Sequence, residues 1–280
     1  MEPVRVTVAG SLNYDLMAYV EHLPRPGEAV QARHIKRVPG GKGFNQAVAA
    51  RRLGAAVEMV GAVGADDFGR QFQDQLDELG IGRSSVLQLE APTGLAVPIV
   101  DDRGENSIVV ALGANEELLP DMLDQAALAA DAVLVQGELR PDTTLRALQV
   151  ARGVKVLNAA PASLELSQAI RLAHVVVVNE VEAADMGGTE RLAALGAGAV
   201  VVTLGARGAM IDNTVLPAPR VRAVDTTGAG DAFCAALAVG LAEGLELEAA
   251  VAWANRAGAA ACLRPGTSEA MPTRAEVDRL

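Results

Sequence analysis

A doubly wound, mostly parallel α/β sheet flanked by helices, carrying a small inserted β-sheet lid, is the fold that this sequence predicts. Three observations lead there. Short β-branched runs alternate with helix-patterned stretches along most of the chain. Aromatic residues make up only 2% of a chain that is 50% hydrophobic, and such a small-residue core suits helices packed closely on a parallel sheet better than an aromatic-rich sandwich or barrel. Two places break the alternation with pairs of strand-like runs and no helix between them.

Strands are expected at residues 4–9, 57–60, 132–136, 154–158, 174–178 and 199–204, where Val, Ile and Leu cluster in short runs. Helices are expected between them at 43–53, 69–79, 121–129, 142–151, 181–186 and 191–195. In such a sheet, ligands bind beyond the carboxyl ends of the strands. The exceptional runs are 15–20 with 29–38, and 94–100 with 107–112, joined by turns that carry Pro24, Pro26, Gly27, Asp102 and Gly104. Without crossover helices these four cannot join the parallel sheet, so they should form a separate small sheet lying over the active site rather than an edge extension. The division expected is a core of residues 1–14, 39–93 and 113–280 and a lid of residues 15–38 and 94–112.

A chain of 280 residues has ample material for one large domain with a smaller appendage. Its net charge of -11, with no block of basic residues, argues against a nucleic-acid partner. The start of the chain does not read as a signal peptide, and Gly, Glu or Arg interrupts every apolar stretch before membrane-spanning length. Cys234 and Cys262 stand in Ala-rich helical patterns, and His22, His34 and His174 are scattered. Neither a disulfide framework nor a zinc site is expected, and a reducing cytoplasm is the default.

The most informative segment is Asp225-Thr226-Thr227-Gly228-Ala229-Gly230-Asp231, which runs straight into an apolar helical stretch. The glycines allow a sharp turn, and free amides at the helix start favour an anion. Asp231 would repel a phosphate held there unless the reaction needs a base beside it, a combination that fits phosphoryl transfer. A Gly-rich loop with Asp as an ordinary cap is the alternative. A second motif, Gly40-Gly41-Lys42-Gly43-Phe44-Asn45-Gln46, also precedes a helix. It is not a P-loop, because Lys36 and Gly43 stand where Gly and Ser or Thr are required. Its amides, Lys42 and the Asn45 side chain offer donors suited to a polyhydroxylated ligand, or else it is a flexible turn. Asn13 and Asp15 follow the first strand, where they either hold sugar hydroxyls or satisfy their own turn.

Six segments then resemble, in order, the motifs of the ribokinase-like (PfkB) carbohydrate kinases: residues 10–15, 40–47, Thr93-Gly94 with Gly104-Glu105-Asn106, 179–182, 203–208 and 225–231. The likeness spans nearly the whole chain, and the run 40–50 is most similar to the ribose-phosphorylating branch. The resemblance implies that Asp231 is the general base, with the amides of Gly228, Ala229 and Gly230 as an anion hole. It implies that Asn13, Asp15, Gly41, Lys42, Asn45 and Glu138 hold the sugar, with Ala96 and Ile108 covering it from the lid. Asn179 and Glu182 would organise hydrated Mg²⁺ near the phosphates, although locally they read as a helix cap and a first-turn acid. Thr203, Gly205, Gly208 and Asn255 would line the ATP site. Potassium is implied at Asp225 and the Thr227 carbonyl, with carbonyls of Cys262, Pro265 and Gly266.

The chain departs from the family in short connections at 186–191 and 213–217, in Glu269 within the cation loop, and in Pro98, which implies a lid edge. The expected reaction is transfer of the γ-phosphoryl group of MgATP to O5 of D-ribose. Fructose, a deoxyribose or a nucleoside are same-family alternatives, and a catalytically idle sugar-binding regulator is a different class, argued against by the intact Asp231 segment. A Rossmann oxidoreductase lacks its Gly-x-Gly-x-x-Gly after the first strand. A homodimer through the lid sheet is expected, since its apolar underside needs cover.

Overall fold

The computed structural model describes residues 2–103 and 105–280; Gly104, expected in the lid turn and in one family motif, lies outside them. Strands β1 (Arg5–Ala9), β2 (Asn13–Tyr19) and β3 (His34–Gly40) lead to helix α1 (Lys42–Arg52). Then come β4 (Ala56–Gly64), α2 (Asp67–Leu79), β5 (Gly82–Leu89), β6 (Gly94–Val100), β7 (Asn106–Ala111) and the single turn α3 (Ala114–Glu117). The alternation continues through β8 (Ala129–Gln136), α4 (Pro141–Val150), β9 (Arg152–Asn158), α5 (Ser167–Ile170) and β10 (Val175–Asn179). After α6 (Glu180–Asp185), α7 (Thr189–Ala194) and β11 (Ala199–Thr203) comes a hairpin of β12 (Ala209–Ile211) and β13 (Thr214–Leu216). Helices α8 (Ala229–Ala242), α9 (Leu247–Ala261) and α10 (Arg274–Val277) close the chain.

Nine of these strands form one sheet in the order β13-β12-β11-β10-β9-β8-β1-β4-β5. From β11 to β5 every neighbouring pair is parallel, and β12 and β13 add an antiparallel edge. The chain leaves β1 toward β4 and β5 on one side and returns to β8 on the other. Strand order therefore reverses between β1 and β8, which opens a crevice beyond their carboxyl ends. Period-two alternation sends Val6, Val8, Ala132 and Leu134 to one face with α1, α8 and α9, and Ala9, Val133 and Val135 to the other with α4 and α5. Helix α8 is apolar nearly all round because it lies between the sheet, α1 and α9.

The remaining four strands form a separate sheet in the order β3-β2-β6-β7. Tyr14 at its base stacks on Phe68 at 4.3 Å and donates its hydroxyl hydrogen bond to Gln71 at 2.7 Å. Phe72 and Phe44 meet edge to face beneath it at 5.2 Å, each fully buried, which stabilises this junction by about 1.5–3 kcal/mol per ring.

Three expectations are corrected, and three strands are added. The helix at 121–129 is absent: Pro120–Met122 makes one 3-10 turn, Asp124 caps the Ala126 amide at 2.8 Å, and Ala129 already pairs with Arg152 in β8. Pairing in the central sheet has overridden the helix propensity of an Ala-rich run. Residues 29–33 are not strand, and β3 begins at His34. Pro98 does not mark a lid edge, because β6 lies between β2 and β7. The proline pairs with Ile108 in β7, while the β2–β6 ladder, its register unchanged, is interrupted between Asp15↔Ala96 and Ala18↔Ile99, so the sheet tolerates its missing donor at that gap. Finally, β5 and the β12–β13 hairpin are strands the sequence reading did not contain. β5 is an edge strand whose Ser84 hydroxyl donates to Glu58, so its polar content conceals it.

Candidate active site

Asp231 sits in the first turn of α8, 8% exposed, facing the crevice at the strand reversal. Gly228 caps that helix with φ +77°, a conformation that only glycine adopts without strain, and a Cβ there would lie 3.0 Å from the Met271 side chain. A Cβ on Gly230 would meet nothing within 4 Å, so the space above it is open to a ligand. The Ala229 amide is turned inward onto the Thr226 carbonyl at 3.2 Å.

The Gly40 to Gln46 motif wraps against the segment that leaves β1. Gly43 must be glycine because a Cβ would come within 2.5 Å of the Gly10 backbone, and this close approach delivers the next side chains to Asp231. Asn45 Nδ2 donates to Asp231 Oδ2 at 3.0 Å, and Gln46 Nε2 donates to Asp231 Oδ1 at 2.9 Å. Asn45 Oδ1 is buried and has no hydrogen-bond partner among the described residues. A buried acceptor of this kind needs a donor, which a ligand hydroxyl in the crevice is able to supply. Glu138, at the carboxyl end of β8, accepts from the Lys42 amide at 2.9 Å and from the Ser11 hydroxyl, tying the two loops of the crevice together.

Charge is concentrated here. Burial pushes the Asp231 carboxyl up, against the pull of the Lys42 ammonium and the Gln46 and Asn45 amides. Burial also raises Asp15 to about 7, helped by the charges of Glu138 and Asp231. For Lys42 burial works against the charge, yet Asp231, Glu138 and Glu182 together hold its pKa above the ordinary lysine value. A buried carboxyl whose pKa is raised, beside a fixed cation, is a candidate for a general base.

Lys42, Asn158, Asn179, Glu182, Gly230 and Asp231 line a cavity of about 380 Å³. It adjoins a largely apolar cavity of about 520 Å³ lined by Thr203, Gly205, Gly208, Phe233, Asn255 and Cys262. Thr203, Gly205 and Gly230 belong to both, so one trough runs across the start of α8. Asn179 and Glu182 form a reciprocal capping box, each accepting from the other's amide at 2.8 Å, so the local reading of this pair holds while both still face the cavity. The Asn255 amide donates to the Leu216 carbonyl at 2.8 Å.

Beside the start of α8, Asp225 joins two loops. Its Oδ1 accepts from the Thr227 amide at 2.9 Å and its Oδ2 from the Gly266 amide at 3.0 Å. Burial works against its charge, but these bonds and Lys36 hold the carboxyl below its usual range. Both carboxylate oxygens of Asp225 are thus met by donors, and the Cys262 carbonyl, one of the expected potassium ligands, already receives the Val224 amide at 2.8 Å. The Pro265 side of this loop is exposed, and Lys36 from β3 pairs with Glu269 at 2.7 Å.

On the four-stranded sheet, Asn13 pairs with Gly40, Asp15 with Val38 and Ala96, and Ala96 is followed two residues on by Pro98, opposite Ile108. The register puts Asn13, Asp15, Ala96 and Ile108 on one face. Asp15 lies over Gly40, where a Cβ would meet its Oδ2 at 2.4 Å, and Asn13 Oδ1 accepts from Asn115 at 2.9 Å. Gly41, with φ +87°, starts α1 beside them, whereas Ile108 is 54% exposed at the rim. Sequence reasoning missed Gln46, Gln136, Asn158, Ser11 and Asn115. Gln46 stands next to Asn45 in a motif already singled out, and that adjacency was the one signal available.

A family model described as pfkB family carbohydrate kinase matches residues 4–274. The chain is 37% identical to a ribokinase of Bacillus subtilis over 98% of each chain. Among solved structures, a ribokinase of Thermotoga maritima superposes with a TM-score of 0.92 at 32% identity, covering 99% of this chain and 98% of that one. A ribokinase of Arabidopsis thaliana complexed with ribose and ATP superposes at 0.89 with 28% identity, covering 100% and 98%.

Proposed function

We propose that this chain, which belongs to the pfkB family of carbohydrate kinases, transfers the γ-phosphoryl group of MgATP to O5 of D-ribose, yielding D-ribose 5-phosphate and ADP. The observation that carries the reading is Asp231 at the head of α8, held by Asn45 and Gln46 at the meeting point of the two cavities, with the unpartnered Asn45 Oδ1 beside it. Ribokinases among the relatives, one of them solved with ribose and ATP, support the choice of sugar and nucleotide.

In this mechanism Asp231 takes the O5 proton as O5 bonds to the γ-phosphorus and the bond to the bridging oxygen of ADP breaks in line. Amides of Gly228 and Gly230 and the Lys42 ammonium face the charge that gathers on the transferring oxygens, whereas the expected third amide, that of Ala229, is taken by the Thr226 carbonyl. Asn13, Asp15, Gly41, Asn45 and Glu138 hold the sugar, and Ala96 and Ile108 close over it with the lid, excluding water as a competing acceptor. Thr203, Gly205, Gly208 and Asn255 receive the nucleotide. Asn179 and Glu182 would hold the waters of Mg²⁺, which neutralises phosphate charge when bound. Asp225, with carbonyls of Thr227, Cys262, Pro265 and Gly266, would hold potassium and so steady the loop ahead of α8.

The lid edge exposes Ile108, Val109 and Val110, and we assign it to a homodimer contact, which a monomeric mass by light scattering at micromolar concentration would refute. Among the described residues no helix is long and apolar enough to cross a membrane, and the buried free thiols of Cys234 and Cys262 fit a cytoplasmic enzyme. The deciding experiment is ADP release from MgATP with ribose, deoxyribose, fructose and adenosine, each with and without potassium. Ribose-dependent release that potassium enhances supports the full reading. Release with another acceptor alone overturns the choice of sugar, equal rates without potassium overturn the cation site, and silence throughout leaves the idle binder.

A further inference from the structure

Behind Asp231 lies a chain of buried amides that the phosphoryl-transfer mechanism does not use. Gln46 and Gln136 are 0% exposed and Asn158 is 7% exposed. Gln46 Nε2 donates to both Asp231 Oδ1 at 2.9 Å and Asn158 Oδ1 at 3.1 Å, while Gln46 Oε1 accepts from Gln136 Nε2 at 2.6 Å. Asn158 Nδ2 in turn donates to the Val177 carbonyl at 3.4 Å. Polarity runs along this chain from the main chain of β10. A carbonyl can only accept, so the Asn158 amino group faces Val177 and its oxygen faces Gln46. That oxygen requires a donor, which turns the Gln46 amino group toward Asn158 and Asp231 and its oxygen toward Gln136. Gly10 leaves room for Gln136, whose Oε1 lies 1.8 Å from where a Gly10 Cβ would stand.

We infer that Gln46 is a positioning residue: clamped between Gln136 and Asn158, it fixes the plane of the Asp231 carboxylate and leaves a lone pair of Oδ2, beside Asn45, for the acceptor hydroxyl. The inference rests on the reading of Asp231 as the base. Asp231 is faced by Lys42 from α1, Asp15 from β2, Glu138 from the segment after β8, Glu182 across the cavity and Cys234 on its own helix. All of these are kept in the variants.

The test compares Gln46→Met, Gln46→Glu and Asp231→Asn, singly and with each Gln46 change combined with Asp231→Asn, using ribose and MgATP. Gln46→Met should lower kcat about 10- to 100-fold with the ribose KM within about 3-fold, because the base is misaligned while the sugar contacts stay. The acidic limb of kcat/KM should move to higher pH in Gln46→Met, since a bond that favours the carboxylate is gone, and further in Gln46→Glu, which places a like charge beside it. On the Asp231→Asn background either change should add less than about 2-fold. An unmoved limb with losses that multiply would make Gln46 a packing residue and overturn the proposal. Near-normal turnover of Asp231→Asn would instead overturn the base. Gln46→Glu keeps the acceptor for Gln136, so it remains decisive where Gln46→Met fails to fold.

Discussion

The two halves of the crevice are built on different physical terms. Around Asp231 the partners are side chains from α1 and from the ends of β8 and β9, buried and bonded to one another across the sheet. On the nucleotide side, Gly205, Ala206, Arg207, Thr226 and Thr227 are exposed, and the ordering contacts are short in sequence: the Asn179–Glu182 capping box and the Thr227–Asp225 turn. A buried amide network loses much when one member is removed, because its partners are left unsatisfied. An exposed cap loses little. The half around Asp231 is thus ordered by long-range buried bonds, whereas the other half draws its order from local turns.

The largest effect that can break this contrast is Asp231→Asn, which should lower kcat about 10²- to 10⁴-fold while calorimetric ribose affinity stays within about 3-fold. Near-normal turnover would remove the base from the buried half. Next, Asn179→Ala should cost about 1 kcal/mol in denaturant unfolding through the lost cap and raise the KM for MgATP without moving that for ribose. A matching rise for ribose would erase the separation between the halves. The smallest effect is a pH dependence. Asp15 sits at about 7 in the fold against an ordinary 3.8, so between those values the folded chain keeps a proton that the unfolded chain has lost. Its contribution to stability is full below the ordinary value and disappears as pH rises through about 7. The difference in melting temperature between wild type and Asp15→Asn should therefore be most favourable to wild type in acid and shrink toward neutral pH, and a constant difference would show that Asp15 titrates like an exposed carboxyl.

Much of the fold was legible because its signals are local. β-branched runs placed β1, β8, β9, β10 and β11, and two hairpin-like pairs disclosed the separate four-strand sheet. The segment from Asp225 to Asp231 disclosed a glycine-capped helix start with a carboxylate inside its first turn, and Gly228 at φ +77° is what such a turn requires. Other features were misread for one shared reason. Residues 121–129 have helix-forming composition, yet sheet pairing claims Ala129, and Pro98 reads as an edge residue, yet β6 lies between β2 and β7 and tolerates the proline because its ladder to β2 is interrupted there. The network behind Asp231 was invisible, since Gln46 reaches partners 90, 112 and 185 residues away.

Periodicity, turn chemistry and the helix-start motifs act between neighbours in the chain, and so the sequence by itself determined the α/β alternation, the inserted small sheet and the place of Asp231. The partner of a buried amide is whichever group the strand order sets beside it. Only the tertiary structure, by laying β1 next to β8 and α1 across α8, decided that Gln46, Gln136 and Asn158 stand behind that carboxylate and that Asn45 keeps an acceptor free before it.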